Sequence, residues 1–422
     1  MAGSSTRVLD FDAALQCVLE HAAIRRDNRG LPVAETVPLL DAAGRILAAP
    51  VFAERDQPPF DRATRDGFAV RAVEFSSGVQ LRTIGQVRAG ERWSGPAMNA
   101  GEAIEIMTGA PVPAGADSVA MIEHVEVEES TVQAAARRTL QAGENIVLRG
   151  REARAGDTLL PTGTSIAAAE IALAAACGLP TLEVFSRPMV AIVATGDELV
   201  ELDQNPDAEQ IRNSNSYGIA SLVTAAGGFP GRLKIARDLR EEIRERIWQG
   251  RMWDLLIFSG GVSMGKFDLV EEVLAEFGAE FFFTGVKMQP GKPVVFGRLP
   301  KIECRDGAGP ECYFFGLPGN PVSTQVTFHC FVEPFLRTIA GSSETAPNFV
   351  QASLAEDVPG KSGLTRVLPA RLTRALHRPS VRLGGWQGSG DLAANARANC
   401  YAVFPPDSLD LHAGEVITVL LR

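Results

Sequence analysis

The chain has 422 residues, with 41 Lys plus Arg against 51 Asp plus Glu for a net charge of −10, and it is 45% hydrophobic and 22% charged. At roughly 100–200 residues per domain the length predicts more than one domain, with enough apolar sequence to build real cores. The acidic balance speaks against a nucleic-acid binder, which needs a basic face, and no apolar run reaches the roughly 18–20 residues of a membrane helix. Met1–Arg7 lacks the apolar core of a signal peptide, so the expected setting is the cytoplasm, with neither nucleic acid nor membrane as partner. Six widely spread cysteines without a CxxC read as separate thiols rather than a disulfide framework or zinc site.

In chain order, Val8–Ile24 carries Leu15, Val18, Leu19 and Ala22 at helical spacing. A short strand over Glu35–Leu40 and a helix over Ala42–Ala48 follow, until Pro58-Pro59 breaks the pattern. From there to Gly143, short β-rich runs at Val79–Ile84, Ala103–Met107 and Ser118–Val127 alternate with Gly/Pro turns, which predicts a small β domain. Helical pattern returns at Ser165–Cys177 and stops at Gly178. The β part therefore reads as an insertion (55–149) between two pieces of another domain, 1–54 and 150–184.

Between 185 and 341 strands alternate with helices. Strands are predicted at Met189–Ala194, Leu233–Ala236, Leu255–Phe258 and Tyr313–Phe315, and helices at Ser216–Ala226, Arg240–Trp248, Asp268–Phe277 and from Pro321 to Ile339. Such alternation predicts a parallel-rich sheet covered by helices, with ligands at the carboxyl ends of the strands. Residues 346–422 show strand-like runs at Val367–Leu372, Cys400–Phe404 and Val416–Leu421, a separate small β domain. The fold class expected is a multidomain α/β protein: a central α/β domain, an inserted β domain and a C-terminal β domain.

Candidate chemistry gathers in the central domain. The loop Ser259-Gly260-Gly261-Val262-Ser263-Met264-Gly265 joins a strand to a helix, and its glycines let backbone N–H groups approach an anion. It is neither a P-loop nor a GxGxxG fingerprint. Glu198, Asp238 and Asp268 all follow predicted strands and suit a hard divalent cation such as Mg²⁺, although Asp238 also sits where a helix cap is expected. Lys287 and Lys292 flank a Pro290-Gly291 turn and suggest an anion pocket or a solvated loop. Asn320 and Ser323, set between Pro318 and Pro321 and just beyond, suit oxyanion binding or helix capping. Asp61 and Asp66 lie in a polar linker, and Thr108 ends a strand at a turn.

These segments together resemble the molybdopterin molybdenumtransferase family, the bacterial MoeA proteins and the E domain of gephyrin, over nearly the whole chain. The resemblance is carried by Pro59-Phe60-Asp61-Arg62-Ala63-Thr64-Arg65-Asp66-Gly67-Phe68-Ala69-Val70, by Thr108-Gly109-Ala110-Pro111 and by Thr195-Gly196-Asp197-Glu198. Asn213-Ser214-Asn215-Ser216, the Ser259–Gly265 loop with Asp268, Pro290-Gly291-Lys292-Pro293, Leu317-Pro318-Gly319-Asn320-Pro321 and Gly388-Ser389-Gly390 continue it in the family's order.

The resemblance implies a four-domain homodimer with a molybdopterin-binding α/β domain and a C-terminal β-barrel-like domain. It also implies Mg²⁺-assisted insertion of molybdate into adenylylated molybdopterin with release of AMP. It places Asp66, Thr108, Glu198 and Asp238 in catalysis, with Thr108 reaching across the dimer, and Glu198 and Asp268 on Mg²⁺. It assigns Ser259, Gly260, Gly261, Ser263, Lys287, Lys292, Pro318, Asn320, Ser323, Arg366 and Ser389 to substrate and molybdate. A molybdopterin adenylyltransferase stands upstream, and molybdoenzymes or chaperones downstream. The chain departs from the family at Gln289, where Lys or Arg is frequent, and at Glu152, where Asp is usual. A non-catalytic cofactor-binding scaffold of the same family is the alternative, and sequence does not separate molybdate from tungstate.

Overall fold

Three uninterrupted apolar runs become the middle of one sheet, because each is covered on both faces. The computed structural model describes residues 7–135, 138–261, 269–301, 303–304, 307–308, 311–361, 363–373, 375, 377–408 and 410–422. The central strands are β1 (Met189–Ala194), β2 (Phe229–Arg232), β3 (Leu255–Ser259), β4 (Glu280–Phe283), β5 (Val295–Leu299) and β6 (Cys312–Leu317). Their order is β2-β1-β3-β6-β5-β4; the first four are parallel, and β5 and β4 complete the sheet antiparallel.

Alternate residues of each strand enter different cores, as the two-residue strand period requires. Val190, Ile192, Leu255, Ile257, Tyr313 and Phe315 pack with helices α1 (Phe11–Arg29) and α2 (Asn215–Ala225), through Ala14, Val18, Ile219 and Val223. Ala191, Val193, Leu256, Phe258 and Phe314 pack with α3 (Arg240–Gly250) and α4 (Leu269–Glu276), through Ile243, Ile247, Val270 and Val273. Each fully buried Val, Leu, Ile or Phe is worth about 1.5–3 kcal/mol, so these two layers hold the strand ends rigidly in place.

Four expectations need correction. Residues 42–48 are not helical: Gly44 takes φ +74°, and Ile46 and Leu47 bridge Ser165 and Val184 instead. The edge strand lies at Phe229–Arg232, just before the expected 233–236, where Leu233 and Ala236 still bond to the Ile192 and Ala194 carbonyls of β1. Asp238 does not cap α3; Leu239 holds the cap position and no side chain bonds there. The helix after Pro321 is three pieces, α5 (Pro321–Thr327), a π turn (Phe328–Val332) and α6 (Glu333–Ile339).

In the same unit, Phe349–Leu354, Thr365–Leu372, Ser380–Leu383, Cys400–Phe404 and Val416–Leu421 form a closed barrel. Thr365–Leu372 pairs with both Ser380–Leu383 and Cys400–Phe404, which removes free edges. The short strand Met288–Gln289 joins it in parallel, Gln289 opposite Arg366.

By contacts the chain divides into two units, one of Met1–Ala49, Thr162–Ile171 and Pro180–Arg422, the other of Pro50–Pro161 and Ala172–Leu179. The second unit is built on a six-stranded sheet ordered Ser118–Met121, Gly67–Val70, Glu102–Ile106, Leu81–Val87, Thr131–Ala134 and Val125–Glu128. Apolar residues fill both of its faces, Phe68 and Val70 on one, Ala69 and Ile104 on the other.

Candidate functional site

A cleft of about 560 Å³ opens at the carboxyl ends of β1, β3 and β6. Its floor is made by three strand-to-loop turns that hydrogen bond to one another. Thr195 N–H donates to the Ser259 carbonyl at 3.0 Å and Gly260 N–H to the Leu317 carbonyl at 3.1 Å. Asn215, the first residue of α2, ties the rim, its amide donating to Ser259 Oγ at 2.9 Å and to the Gly319 carbonyl at 2.7 Å. Gly260 and Gly261 have φ of +95° and +66°, in the left-handed region. A Cβ on Gly260 would stand 2.5 Å from the Thr195 carbonyl oxygen, and one on Gly261 2.7 Å from Thr195 Oγ1. Glycine is therefore required twice, by backbone angle and by close approach.

The cleft gathers Glu198, Asp238, Ser259, Gly260, Gly261, Pro318 and Asn320 of the residues expected at the site. Asp197 stands beside them, accepting the Asp238 N–H at 3.2 Å. The Asp238 carboxyl is pushed above its ordinary range, first by partial withdrawal from water against the cleft wall, then by repulsion from Asp197 and Glu198. No Lys or Arg forms an ion pair with any of these three acids among the described residues. Ser263 and Asp268 lie outside the described residues. Among the described residues, no three His, Cys, Asp or Glu side chains converge to enclose a metal by themselves.

Asn320 occupies the N-cap position of α5, yet its side chain does not cap; its amide donates to Ser389 Oγ at 2.9 Å. Ser389 is thereby held at the rim beside Gly390, which lines the cleft. Ser323 is buried, 3% exposed, on the first turn of α5 and does not line the cleft.

The expected cations lie on the strand Met288–Gln289, its flanks and its barrel partner. Arg366 is 7% exposed, with its guanidinium 4.8 Å from the Phe404 ring centre and Nε and Nη2 buried without a hydrogen-bond partner. Burial alone lowers its pKa, and no carboxylate answers it among the described residues. Lys287 pairs with Asp10 at 3.0 Å, while Lys292 is exposed next to Pro293, a cleft residue. Gln289 is not without a cation: Lys361 Nζ donates to Gln289 Oε1 at 3.1 Å.

Asp66 and Thr108 meet in the second unit. The Thr108 N–H donates to Asp66 Oδ1 at 2.6 Å, and that bond, with one from the Thr108 side chain, lowers the Asp66 pKa.

Sequence reasoning assigned no role to Arg212, the cation among the described lining residues, to Thr195, whose buried Oγ1 has no partner, or to Lys361. Asn213-Ser214-Asn215-Ser216 was visible as a motif but carried no geometry. Arg212 and Lys361 had no local signal at all, since only tertiary pairing brings them to the site.

Three family models match the chain: "MoeA N-terminal region (domain I and II)" over residues 9–178, "Probable molybdopterin binding domain" over 191–338, and "MoeA C-terminal region (domain IV)" over 351–421. A molybdopterin molybdenumtransferase of Nostoc sp. is 36% identical over 92% of this chain and 88% of its own length. One from Staphylococcus aureus is 33% identical over 92% and 90%. The crystal structure of a molybdopterin biosynthesis moeA protein from Pyrococcus horikoshii OT3 superposes with a TM-score of 0.73 at 26% identity, covering 99% of this chain and 100% of that one.

Proposed function

The chain belongs to the MoeA family of molybdopterin molybdenumtransferases, and on that premise we propose that it inserts molybdate into adenylylated molybdopterin, with release of AMP, in molybdenum cofactor biosynthesis. The observation that carries the oxyanion part is the buried, unpaired guanidinium of Arg366. A buried charge without a partner costs several kcal/mol, on the order of what a bound dianion returns through charge-assisted hydrogen bonds. Arg366, Lys292 and Lys361 supply the charge, and Ser389, Asn320 and Ser323 the neutral donors that orient a tetrahedral ion.

The pterin and its phosphates suit the cleft, where the Ser259-Gly260-Gly261 turn presents backbone N–H groups and the free Thr195 hydroxyl. Mg²⁺ fits the acids. It is bound typically through one or two carboxylates completed by waters and substrate phosphates, rather than by an all-protein cage. Glu198 and Asp238, with Asp268 as the third assigned acid, match that partial set; burial first and then repulsion from Asp197 and Glu198 raise the Asp238 pKa, and a divalent cation would relieve the repulsion. When bound, Mg²⁺ neutralises charge on the phosphates. The residues' own work is to orient the phosphoanhydride, hold Asp238 and Glu198 together where a cation would offset their repulsion, and exclude bulk water.

Asp66 and Thr108 act from the second unit in the catalytic role carried by the resemblance, and the homodimer and cytoplasmic setting belong to the same reading. In the division into 1–54 with 150–184, 55–149, 185–341 and 346–422, the boundaries near 185 and 346 agree with the limits of the family models, while the separate unit Pro50–Pro161 with Ala172–Leu179 favours an inserted part. The substrate's adenylyl group calls for an adenylyltransferase upstream, and the product for molybdoenzymes or their chaperones downstream.

The test is AMP release from adenylylated molybdopterin by the purified protein with Mg²⁺, with and without molybdate. Molybdate-dependent release with active cofactor is expected; tight binding without turnover overturns the catalytic reading in favour of a scaffold. Co-expressing an Asp66→Ala chain with a Glu198→Gln chain tests the dimer. Mixed dimers recover activity if one copy's Asp66 serves the other's cleft, and two inactive chains that stay inactive together sink that arrangement.

A further inference from the structure

The opposite ends of β1 and β3 carry a second, smaller pocket of about 200 Å³ whose chemistry differs from the cleft's. Arg25 and Arg29 reach it from the last turns of α1, Arg187 and Ser186 from the segment leading into β1, and Asp254 from the residue before β3. Asp254 is fully used: its Oδ1 accepts Arg25 at 2.8 Å and Arg29 at 2.5 Å, and its Oδ2 accepts the Met189 N–H at 2.8 Å.

Three guanidiniums thus face one carboxylate, an excess of two positive charges in a chain of net charge −10. The negative end of α1 offsets only about half a charge, so the pocket stays strongly positive. Arg25 is constrained in the same way: its side chain is 6% exposed, its Nε is buried without a partner, and burial first, then the neighbouring Arg29, lowers its pKa against the pull of Asp254. Arg187 is half-buried and pairs with no carboxylate among the described residues. The Ser186 hydroxyl adds a neutral donor on the same wall.

We propose that this pocket is a second anion site, binding the phosphate group of a small ligand between Arg29 and Arg187 with Ser186 as a further donor. Guanidiniums in this arrangement match a tetrahedral dianion, because each presents paired N–H donors to neighbouring oxygens. The volume admits a phosphate and a short ester substituent but not a nucleotide. Six residues of β1 at about 3.3 Å each separate the pocket from the cleft by about 20 Å, beyond the screening length of roughly 8–10 Å at physiological salt. The two pockets are therefore separate sites that share no lining residue.

The experiment is calorimetric titration of the full-length protein with inorganic phosphate at constant ionic strength, in the wild type, Arg187→Gln and Arg29→Gln, with methyl phosphate in parallel. Phosphate also competes for the oxyanion cluster, so each titration is repeated with Arg366→Gln as background. In that background the wild-type pocket is expected to bind phosphate, and Arg187→Gln to weaken it about tenfold, the loss of one charge-assisted pair. Equal binding of methyl phosphate supports the site and identifies its ligand as a phosphomonoester; binding of inorganic phosphate alone supports it and identifies the free ion. No binding to the Arg366→Gln protein at about 10 mM phosphate, or isotherms unchanged by both Arg187→Gln and Arg29→Gln, overturns the proposal. Arg187→Gln in the otherwise native chain is expected to leave molybdate-dependent AMP release intact, so a failure here and a failure of the transferase reading are read separately.

Discussion

One helix-covered face of the central sheet and its carboxyl edge handle charge in opposite ways. Over the outer surface of α3 and α4, Arg240 pairs with both Glu272 and Glu276, and Arg244 with Glu276 at 2.5 Å. At the cleft, Asp197, Glu198 and Asp238 repel one another, and in the adjoining cluster Arg366 is buried with nothing to answer it. The exposed network is satisfied and contributes little, typically 0–1 kcal/mol per pair. The cleft and its neighbour hold unpaired charge of both signs, which is costly to the empty fold and which, on the proposed function, a bound cation and oxyanion would offset. Local dissatisfaction, rather than acidity or basicity as such, separates the site from the surface.

That contrast can be broken most severely at the acids. Asp238→Asn or Glu198→Gln is expected to lower molybdate-dependent AMP release about a hundredfold or more, by loss of preorganised charge, whereas Glu276→Gln on the outer network leaves it within about twofold. Comparable losses from both would erase the distinction.

Arg366→Met sharpens the comparison by moving two quantities in opposite directions. Replacing a buried unpaired charge with an apolar side chain should leave stability unchanged or raise it by about 1 kcal/mol or more, while molybdate affinity falls at least about tenfold. Thermal unfolding and molybdate titration of the same protein check it. If Arg366→Ala and Lys292→Ala both leave molybdate affinity unchanged, their assignment is wrong.

A smaller effect belongs to Lys361. Lys361→Ala is expected to weaken molybdate about threefold, as an exposed cation does, and Gln289→Lys in that background to restore it. Failure of the restoration would mean that the Lys361–Gln289 contact does not stand in for the family's basic residue.

The smallest signal is in pH. A carboxyl whose folded pKa is raised costs stability while ionised. For Asp238 this cost is fully present above the raised value and is relieved as pH falls toward the ordinary value of about 3.9. The metal-free protein should therefore gain slightly in stability over that window, while Mg²⁺ protection, measured as a melting-temperature increment, is lost over it because protons compete. Asp238→Asn should flatten both curves.

The cleft was largely legible because strand, glycine turn and helix follow one another along the chain, so Met189–Ala194, Leu255–Phe258 and Tyr313–Phe315 all pointed to one edge. Asp238 was ambiguous in sequence for a definite reason: a residue two before a helix looks like a cap, and only the backbone reveals that Leu239 takes that place. The antiparallel strands Glu280–Phe283 and Val295–Leu299 escaped notice because apolar pattern alone does not report strand direction. The helix expected at 42–48 failed against long-range bridges from Ile46 and Leu47, which no local propensity anticipates.

The pairing of Gln289 with Arg366 also sets an order in time. The cleft's walls, apart from Gly390, come from residues 194–321, so they are synthesised before the barrel. The oxyanion cluster needs Lys361, Arg366, Ser389 and the Phe404 ring, all from the barrel that is synthesised last. On the proposed assignment the residues for the pterin are synthesised before those for the metal oxyanion, while the core beneath them closes only when Val367, Tyr401 and Val403 of the barrel join it. A chain cut short before the barrel would therefore lose the oxyanion residues together with Val367, Tyr401 and Val403, part of the core on which the cleft's strands rest.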